Sequence, residues 1–409
     1  MTPVAHSAAP LERPAAPCAT GSLEGRARAS LGSAIDALFA KQHPDAHWCA
    51  ELEGDSILNS EYLLMKFILG QEAAPQATPD DLRRFTKMGA YLRMLQREDG
   101  VWGQYPGSPP DLSACVKSYF ALKLLGDSVD APHMRRARER ILALGGAEGV
   151  NTFSAFYLAC LGQVSWDACP AIPPEVVLLP RWFPFHLDKV AAWTRTMILP
   201  LALCTALRPV RRLPSTLGIG ELFVDQRRRQ TLNKPWDRRD PAGWTNIFLA
   251  LDRALKFAQR MGFTPGRAHA IGAAERWLLE RMDPATTDGL GAIFPPMVYI
   301  QVAFQALGYP RDHPVIRRAE HELDRFIVEE PDHVRIQPCF SPVWDTGIAL
   351  YALTEAGLTA SSDERIARTC DWLRAREVTR TGDWANNLRP ADRAMRLGPG
   401  ADDSRGGRG

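Results

Sequence analysis

The sequence predicts an all-α fold in which helix hairpins stack into a solenoid or close into an α/α barrel, and three observations carry that prediction. Apolar residues recur at helical spacing, as at Leu31, Ile35, Leu38 and Phe39 or Leu82, Phe85, Leu92 and Leu95, and no segment alternates convincingly as a strand would. Gly126, Gly162, Gly262, Gly308 and Gly357 each follow a periodic run, where a helix C-cap belongs. One turn also repeats. Gln42 stands six residues before Trp48 and Gln96 six before Trp102, with Leu38 and Leu92 four before the Gln and Asp45 and Asp99 three after it.

Taken in order, the first two dozen residues are rich in Ala and Pro, lack the apolar block of a signal peptide and read as a disordered leader over 1–25. About a dozen helices of 10 to 20 residues follow from the density of stop signals. Thr78-Pro79-Asp80-Asp81 supplies an N-cap, a proline at the first helical position and two acids in the first turn, so this carboxylate pair reads as capping and not as chemistry. In each repeated turn the Gln can bond the backbone beyond its helix while the Trp ring, with Gly100 just before it in the second copy, covers the helix end. Degenerate copies keep Asp288-Gly289 and Gly382 with Trp384. The longest apolar run, Met197 to Leu207, falls short of the ~20 residues that cross a bilayer. Beyond Pro209 the stretch LPSTLGIGELF (Leu213 to Phe223), followed by Arg227-Arg228-Arg229, suits a surface dipped into lipid.

The composition narrows the classes of function. A hydrophobic content of 45% supports a sizeable core, and a net charge of +2 gives no reason to expect nucleic acid as a partner. The eight cysteines are scattered without a Cys-x-x-Cys and read as buried reduced thiols.

The repeated turns resemble the QW motif of the squalene-hopene and oxidosqualene cyclases, and LNSEYLLMKFIL, QREDGVWGQYPGSPPDL, AWTRTMILPLAL, IFPPMVY and SPVWDTGIALYALTEAGL look like that family's successive landmarks from about Leu31 to Ala385. The match covers nearly all of this chain and somewhat over half of a family member. It implies N-terminal helices over 26–70 that belong with a second barrel, a complete α/α barrel over 71–335, the beginning of the second barrel over 336–384, and a tail outside the family pattern over 385–409. It also implies squalene or a related polyprene as ligand, proton-initiated cyclisation to hopene or hopanol, no cofactor and no metal. The expected place is peripheral and monotopic on the cytoplasmic side of the inner membrane, and a homodimer is allowed.

By the same resemblance Trp193, Phe153, Ile293, Pro295 and Trp344 line the substrate cavity, where π faces would stabilise a cation without reacting with it. Phe294 departs from the family, whose members usually carry Gln there, and is expected to change that wall. The family's acid, an Asp-x-Asp-Asp lying beyond Gly382-Asp383-Trp384-Ala385, is absent: an Arg/Gly tail takes its place, and Asp402-Asp403 lacks the third Asp and any buried setting. No other Asp is expected in such a setting. The chain therefore reads as an incomplete or inactive cyclase, its ending the product of a frameshift or of a genuine loss. A stand-alone isoprenoid-binding barrel is the alternative. A zinc prenyltransferase-like barrel, suggested by Asp167-Ala168-Cys169, is disfavoured because no His falls between Leu187 and Arg267.

Overall fold

The computed structural model describes residues 22–225, 227, 236–283, 287, 289–378 and 386. Among these, thirteen α-helices account for nearly all the regular structure. The described residues divide into two compact units: 51–340 with Asn386, and 22–50 with 341–378.

In the larger unit two kinds of helix are distinguished by their burial. Helices α2 (Ser56–Leu69), α4 (Leu112–Leu124), α6 (Thr152–Cys160), α7 (Ala192–Leu207) and α10 (Phe294–Ala306) are apolar on most sides and form an inner layer, with every residue from Ser113 to Leu124 of α4 buried. Helices α3 (Pro79–Met94), α5 (Pro132–Ala143), α9 (Arg267–Glu280) and α11 (Pro314–Asp324) bury a single stripe, such as Met134, Ala137 and Ile141 of α5, and form an outer layer. α2 packs against α4 and α10, and α10 against α7. The core runs through all five inner helices, from Leu64 and Phe120 to Phe304.

The local signals act as their chemistry requires. Thr78 and Asp81 form the reciprocal capping box of α3. The five glycines named above all adopt the left-handed conformation, with φ from 68° at Gly162 to 100° at Gly126. Gln96 donates from Nε2 to the carbonyls of Gly100 and His133, and Trp102 donates from Nε1 to Leu92 O at 2.8 Å. Gly100 makes the turn possible: its φ is 86°, and a Cβ there would stand 2.7 Å from the Arg136 backbone.

One short antiparallel pair, β1 (Ile327–Glu329) with β2 (Val334–Ile336), appears where the sequence offers no strand pattern. At three residues each, these strands are too short to show a period of two.

The smaller unit contains α1 (Leu23–Ala40), α12 (Pro342–Glu355) and α13 (Glu364–Arg374) around Trp48, Ala349, Leu353 and Ile366. The same turn recurs: Gln42 Nε2 donates to Ala46 O, and Trp48 Nε1 to Leu38 O at 2.8 Å. Gly382, Trp384, Asp288, Asp402 and Asp403 lie outside the described residues.

Candidate functional site

Four inner helices meet at matching positions. Glu61 in α2, Lys117 in α4, Tyr157 in α6 and Tyr299 in α10 each stand sixth in their helix. Lys117 Nζ pairs with Glu61 Oε1 at 2.5 Å, Tyr157 donates its hydroxyl to Glu61 Oε2 at 3.1 Å, and the Tyr157 and Tyr299 rings lie 6.3 Å apart. Asn151, the N-cap of α6, donates its N–H to Ser113 Oγ in the first turn of α4 at 2.9 Å, so helices that also meet at the sixth position begin at one end of the unit. That end gathers the first turns of α2, α4, α6 and α10, and α7 joins it at Thr196, whose Oγ1 would lie 2.6 Å from a Cβ on Gly291.

Phe153, Trp193, Ile293 and Pro295 all belong to those first turns. Phe153 is 42% and Trp193 57% exposed, and Ile293 and Pro295 are partly so. Phe156, one turn deeper than Phe153, stacks edge-on against Tyr299 at 5.0 Å. These residues make an aromatic and aliphatic rim, with the Glu61–Lys117 layer about 6–7 Å below it at 1.5 Å per residue. Phe294 does not join the rim. It is fully buried, because its N–H is bound by Pro338 O at 2.8 Å and its ring turns inward from the start of α10. Pro295 and Pro296 carry no N–H, so the helix opens without the free donors usual at such an end.

Trp193 is held from below. α7 has no side-chain N-cap, and buried Arg195 reaches back to Val190 O at 3.0 Å and Asp188 O at 3.3 Å, fixing the turn that feeds the helix. Trp344 stands in the smaller unit, 72% exposed on α12 with Ile348 and Tyr351 on the same helical face.

Several functional groups are invisible to motif reading. Two aspartates, Asp55 and Asp324, are half-buried. Asp55, which caps α2 through Ile57 N at 2.8 Å, is pushed up to about 6 by burial, against the opposing pull of that N–H and of Lys117. Asp324 is also raised by burial, while accepting a hydrogen bond from Tyr62 at 2.8 Å. Neither supports alkene protonation: a raised pKa makes a weaker acid, and each carboxylate is committed to a structural partner. The only hint of Glu61 and Lys117 in the sequence is that ionisable residues interrupt two largely apolar helices, as Lys66 and Lys123 also do.

The stretch from Leu213 to Phe223 does not form the expected lipid surface. Ile219, Leu222 and Phe223 are buried, and Leu213 and Leu217 pack on the core, because Gln163 Oε1 accepts the Ile219 N–H and draws the loop inward. Exposed apolar surface appears instead on α8 (Trp244–Arg260), where Trp244, Ile247, Phe248 and Leu251 face outward and Phe185 meets Phe248 at 6.1 Å. The flank of α8 beside this stripe is latched down: Asp252, one turn after Phe248, accepts from Ala171 N at 2.7 Å and Lys256 donates to Asp167 O at 2.8 Å. No described helix is long and apolar enough to cross a membrane.

Asp167 and Cys169 do not converge as ligands. The Asp167 carboxylate pairs with Arg260 at 2.8 Å and Arg208 at 3.4 Å, and burial pushes the Cys169 thiol up to about 12. Among the described residues no three His, Cys, Asp or Glu side chains gather around a common point.

Sequence comparison agrees with this architecture. The profile of the squalene-hopene cyclase N-terminal domain matches residues 31–332, and that of the C-terminal domain residues 340–395. The chain is 39% identical to the squalene–hopene cyclase of Zymomonas mobilis over 370 residues, 88% of this chain and 54% of that protein. It is 38% identical to the squalene–hopene cyclase of Bradyrhizobium diazoefficiens over 87% of this chain and 52% of that protein. It is 34% identical to dammaradiene synthase of Dryopteris crassirhizoma, over 84% and 48%. The chain thus spans about half the length of the curated relatives it matches.

Proposed function

Because this chain belongs to the squalene-hopene cyclase family, we propose that the rim of Phe153, Trp193, Ile293 and Pro295 is one wall of a cavity for a polyprene of the squalene class, shaped to guide its cationic cyclisation where an acid is supplied. The observation that carries this reading is the set of exposed aromatic and aliphatic side chains at the shared starting end of the inner helices. Trp193 and Phe153 offer π faces to positive charge, and Ile293 and Pro295 offer surface that neither donates a proton nor accepts a cation. The proline pair adds to this, since a wall without free N–H groups neither repels a nearby cation nor anchors water beside it.

The chemistry also needs an acid, and none of the 409 residues falls in an Asp-x-Asp-Asp pattern. A positioned general acid contributes about 10²–10⁴-fold in rate. The chain as it stands is therefore expected to bind polyprene without cyclising it, as a stand-alone isoprenoid-binding barrel would. Incubation with squalene in detergent, followed by gas chromatography with mass detection, tests the second half: a cyclic triterpene above a heat-killed control overturns it. Equilibrium binding of squalene tests the first half. Trp193→Ala is expected to weaken it about tenfold or more, a large ring covered by the ligand being worth ~1.5–3 kcal/mol. Unchanged affinity would remove the rim from the site.

The apolar face of α8, with Phe185 and Trp182 beside it, is proposed as the surface that rests on lipid, in a peripheral and not a spanning mode. It supplies what a substrate with no polar end requires, a route out of the bilayer that does not pass through water.

A further inference from the structure

The residues that lead into α10 are locked in an unusual shape. Gly289, Gly291 and Ala292 all take positive φ, at 110°, 70° and 50°. A left-handed residue with a Cβ costs about 1–2 kcal/mol, so Ala292 keeps this conformation because the chain is fixed on both sides of it. On one side Leu290 is 1% exposed in the core, and a Cβ on Gly289 would meet Met297 Cε at 2.8 Å. On the other, Ile293 forms a β-bridge with Cys339. Between them Gly291 touches two helices at once. A Cβ there would stand 2.6 Å from Thr196 Oγ1 and 3.3 Å from Thr196 Cβ, both on α7, and 3.3 Å from Pro296 Cγ on α10.

Left-handedness alone does not call for glycine at 291, since Ala292 beside it adopts the same region with a side chain. The close approach does. Thr196 is 8% exposed, and its Oγ1 is fixed because the hydroxyl donates to Trp193 O at 2.7 Å. A β-branched side chain is stiff at χ1, and turning it away would break that bond and still leave Thr196 Cβ at 3.3 Å. The contact therefore joins the turn that carries Trp193 to the segment that carries Ile293 and Pro295. Its thickness is one hydroxyl laid against a bare backbone.

We propose that Thr196 and Gly291 are positioning residues that set the spacing between Trp193 on α7 and the aliphatic pair Ile293 and Pro295 on α10, and with it the thickness of hydrocarbon the rim accepts, a role that rests on the rim being the polyprene site. An alanine at 291 must open the contact from 2.6 Å to the 3.4 Å at which ordinary contact begins, about 0.8 Å. A radial gap of roughly 0.5–1 Å already forfeits a quarter to a half of the van der Waals attraction between the atoms it separates. An open polyene chain that touches both sides of the rim loses this contact, whereas a fused-ring hydrocarbon is thicker and fills the gap. A cavity of ≈ 480 Å³, lined by Ala192, Thr196 and Gly291 among others, lies beside the contact and gives the displaced turn room to shift while the core stays packed.

The test incubates the full chain in detergent with an equimolar mixture of squalene and hopene and reads the bound ratio by gas chromatography with mass detection. Both ligands compete for the same folded molecules, so a loss of folded protein leaves the ratio unchanged and only a change in the site moves it. Gly291→Ala is expected to shift the ratio about fivefold towards hopene. Thr196→Ala thins the contact from the other side with a helix-favouring residue and is expected to shift it about twofold towards squalene. In the double variant G291A/T196A the two changes offset each other, and the ratio returns to within about twofold of wild type. Should Gly291→Ala fail to fold by circular dichroism, the sign of the shift in Thr196→Ala decides alone. An unchanged ratio in Gly291→Ala, or a shift towards hopene in Thr196→Ala, while Trp193→Ala lowers squalene binding, would overturn the spacer and leave the rim in place. Squalene binding unaffected by Trp193→Ala would overturn the rim and the spacer with it.

Discussion

Replacing Asp55 by Asn should make the protein more stable at neutral pH, although it deletes a charge from a helix cap. Burial raises the Asp55 carboxyl from 3.8 to about 6. An acid whose folded pKa is raised binds its proton more tightly in the folded state, so its contribution falls as pH rises from about 4 to about 6 and stays low above that. A rise of that size corresponds to roughly 3 kcal/mol lost when the folded protein holds the carboxylate charged. The attraction of Lys117 and the bond to Ile57 N already oppose the rise and are contained in it; what Asn forgoes beyond them is the wider interaction of a charge with the α2 N-terminus, about 0.3–1 kcal/mol, and residual solvent access at this half-buried group reduces the gain further. Asn keeps the bond to Ile57 N, since it caps as well as Asp does. The net expectation is a gain of about 1–2 kcal/mol at pH 7 that shrinks towards zero near pH 4. Urea unfolding followed by circular dichroism from pH 4 to pH 7.5 measures it. A variant less stable than wild type at pH 7, or a difference that does not change with pH, would refute the account of Asp55 as a desolvated carboxyl.

The interior ion pair should behave in the opposite way. Lys117→Met strands Glu61 in the core and is expected to cost about 3–5 kcal/mol, while the double variant E61Q/K117M recovers part of that loss; equal instability of the two in urea would show that the pair acts by packing alone. For the membrane surface, changing Trp244, Phe248 and Leu251 together to Ser should abolish flotation with anionic liposomes and leave the melting temperature nearly unchanged. Changing Leu217, Leu222 and Phe223 to Ser should instead unfold the protein, because these side chains lie against or within the core. Retained flotation in the α8 variant would remove α8 from the lipid contact.

Much of the fold is legible where the cause is local. The capping box at Thr78, the left-handed glycines and the two Gln/Trp turns each depend on a few neighbouring residues, and all are found as their chemistry predicts. What the sequence hides is tertiary. An apolar stretch such as Leu213 to Phe223 looks alike whether it faces lipid or core, and only the buried Gln163, far away in sequence, decides between them. Phe294 reads as part of the cavity wall until the direction of the first turn of α10 is known. Asp55 looks like any helix cap, and its raised pKa comes from burial that only the assembled helices impose. The rim residues Phe153, Trp193, Ile293 and Pro295 are legible only as family positions. That three separate helices present them at one end follows from the matching register at Glu61, Lys117, Tyr157 and Tyr299, which no single segment encodes.

The opening of α10 carries a consequence for hydration. The start of a helix ordinarily gathers ordered water, because several amide hydrogens there point outward and need an acceptor. With one such hydrogen held by Pro338 O and two replaced by proline rings, α10 offers its surroundings almost nothing to wet. Hydrocarbon can lie against this helix end without first stripping it of water, and the usual cost of drying a polar surface does not arise. Pro296→Ala would restore one hydrogen and, with it, a place for a single water molecule beside whatever occupies the rim.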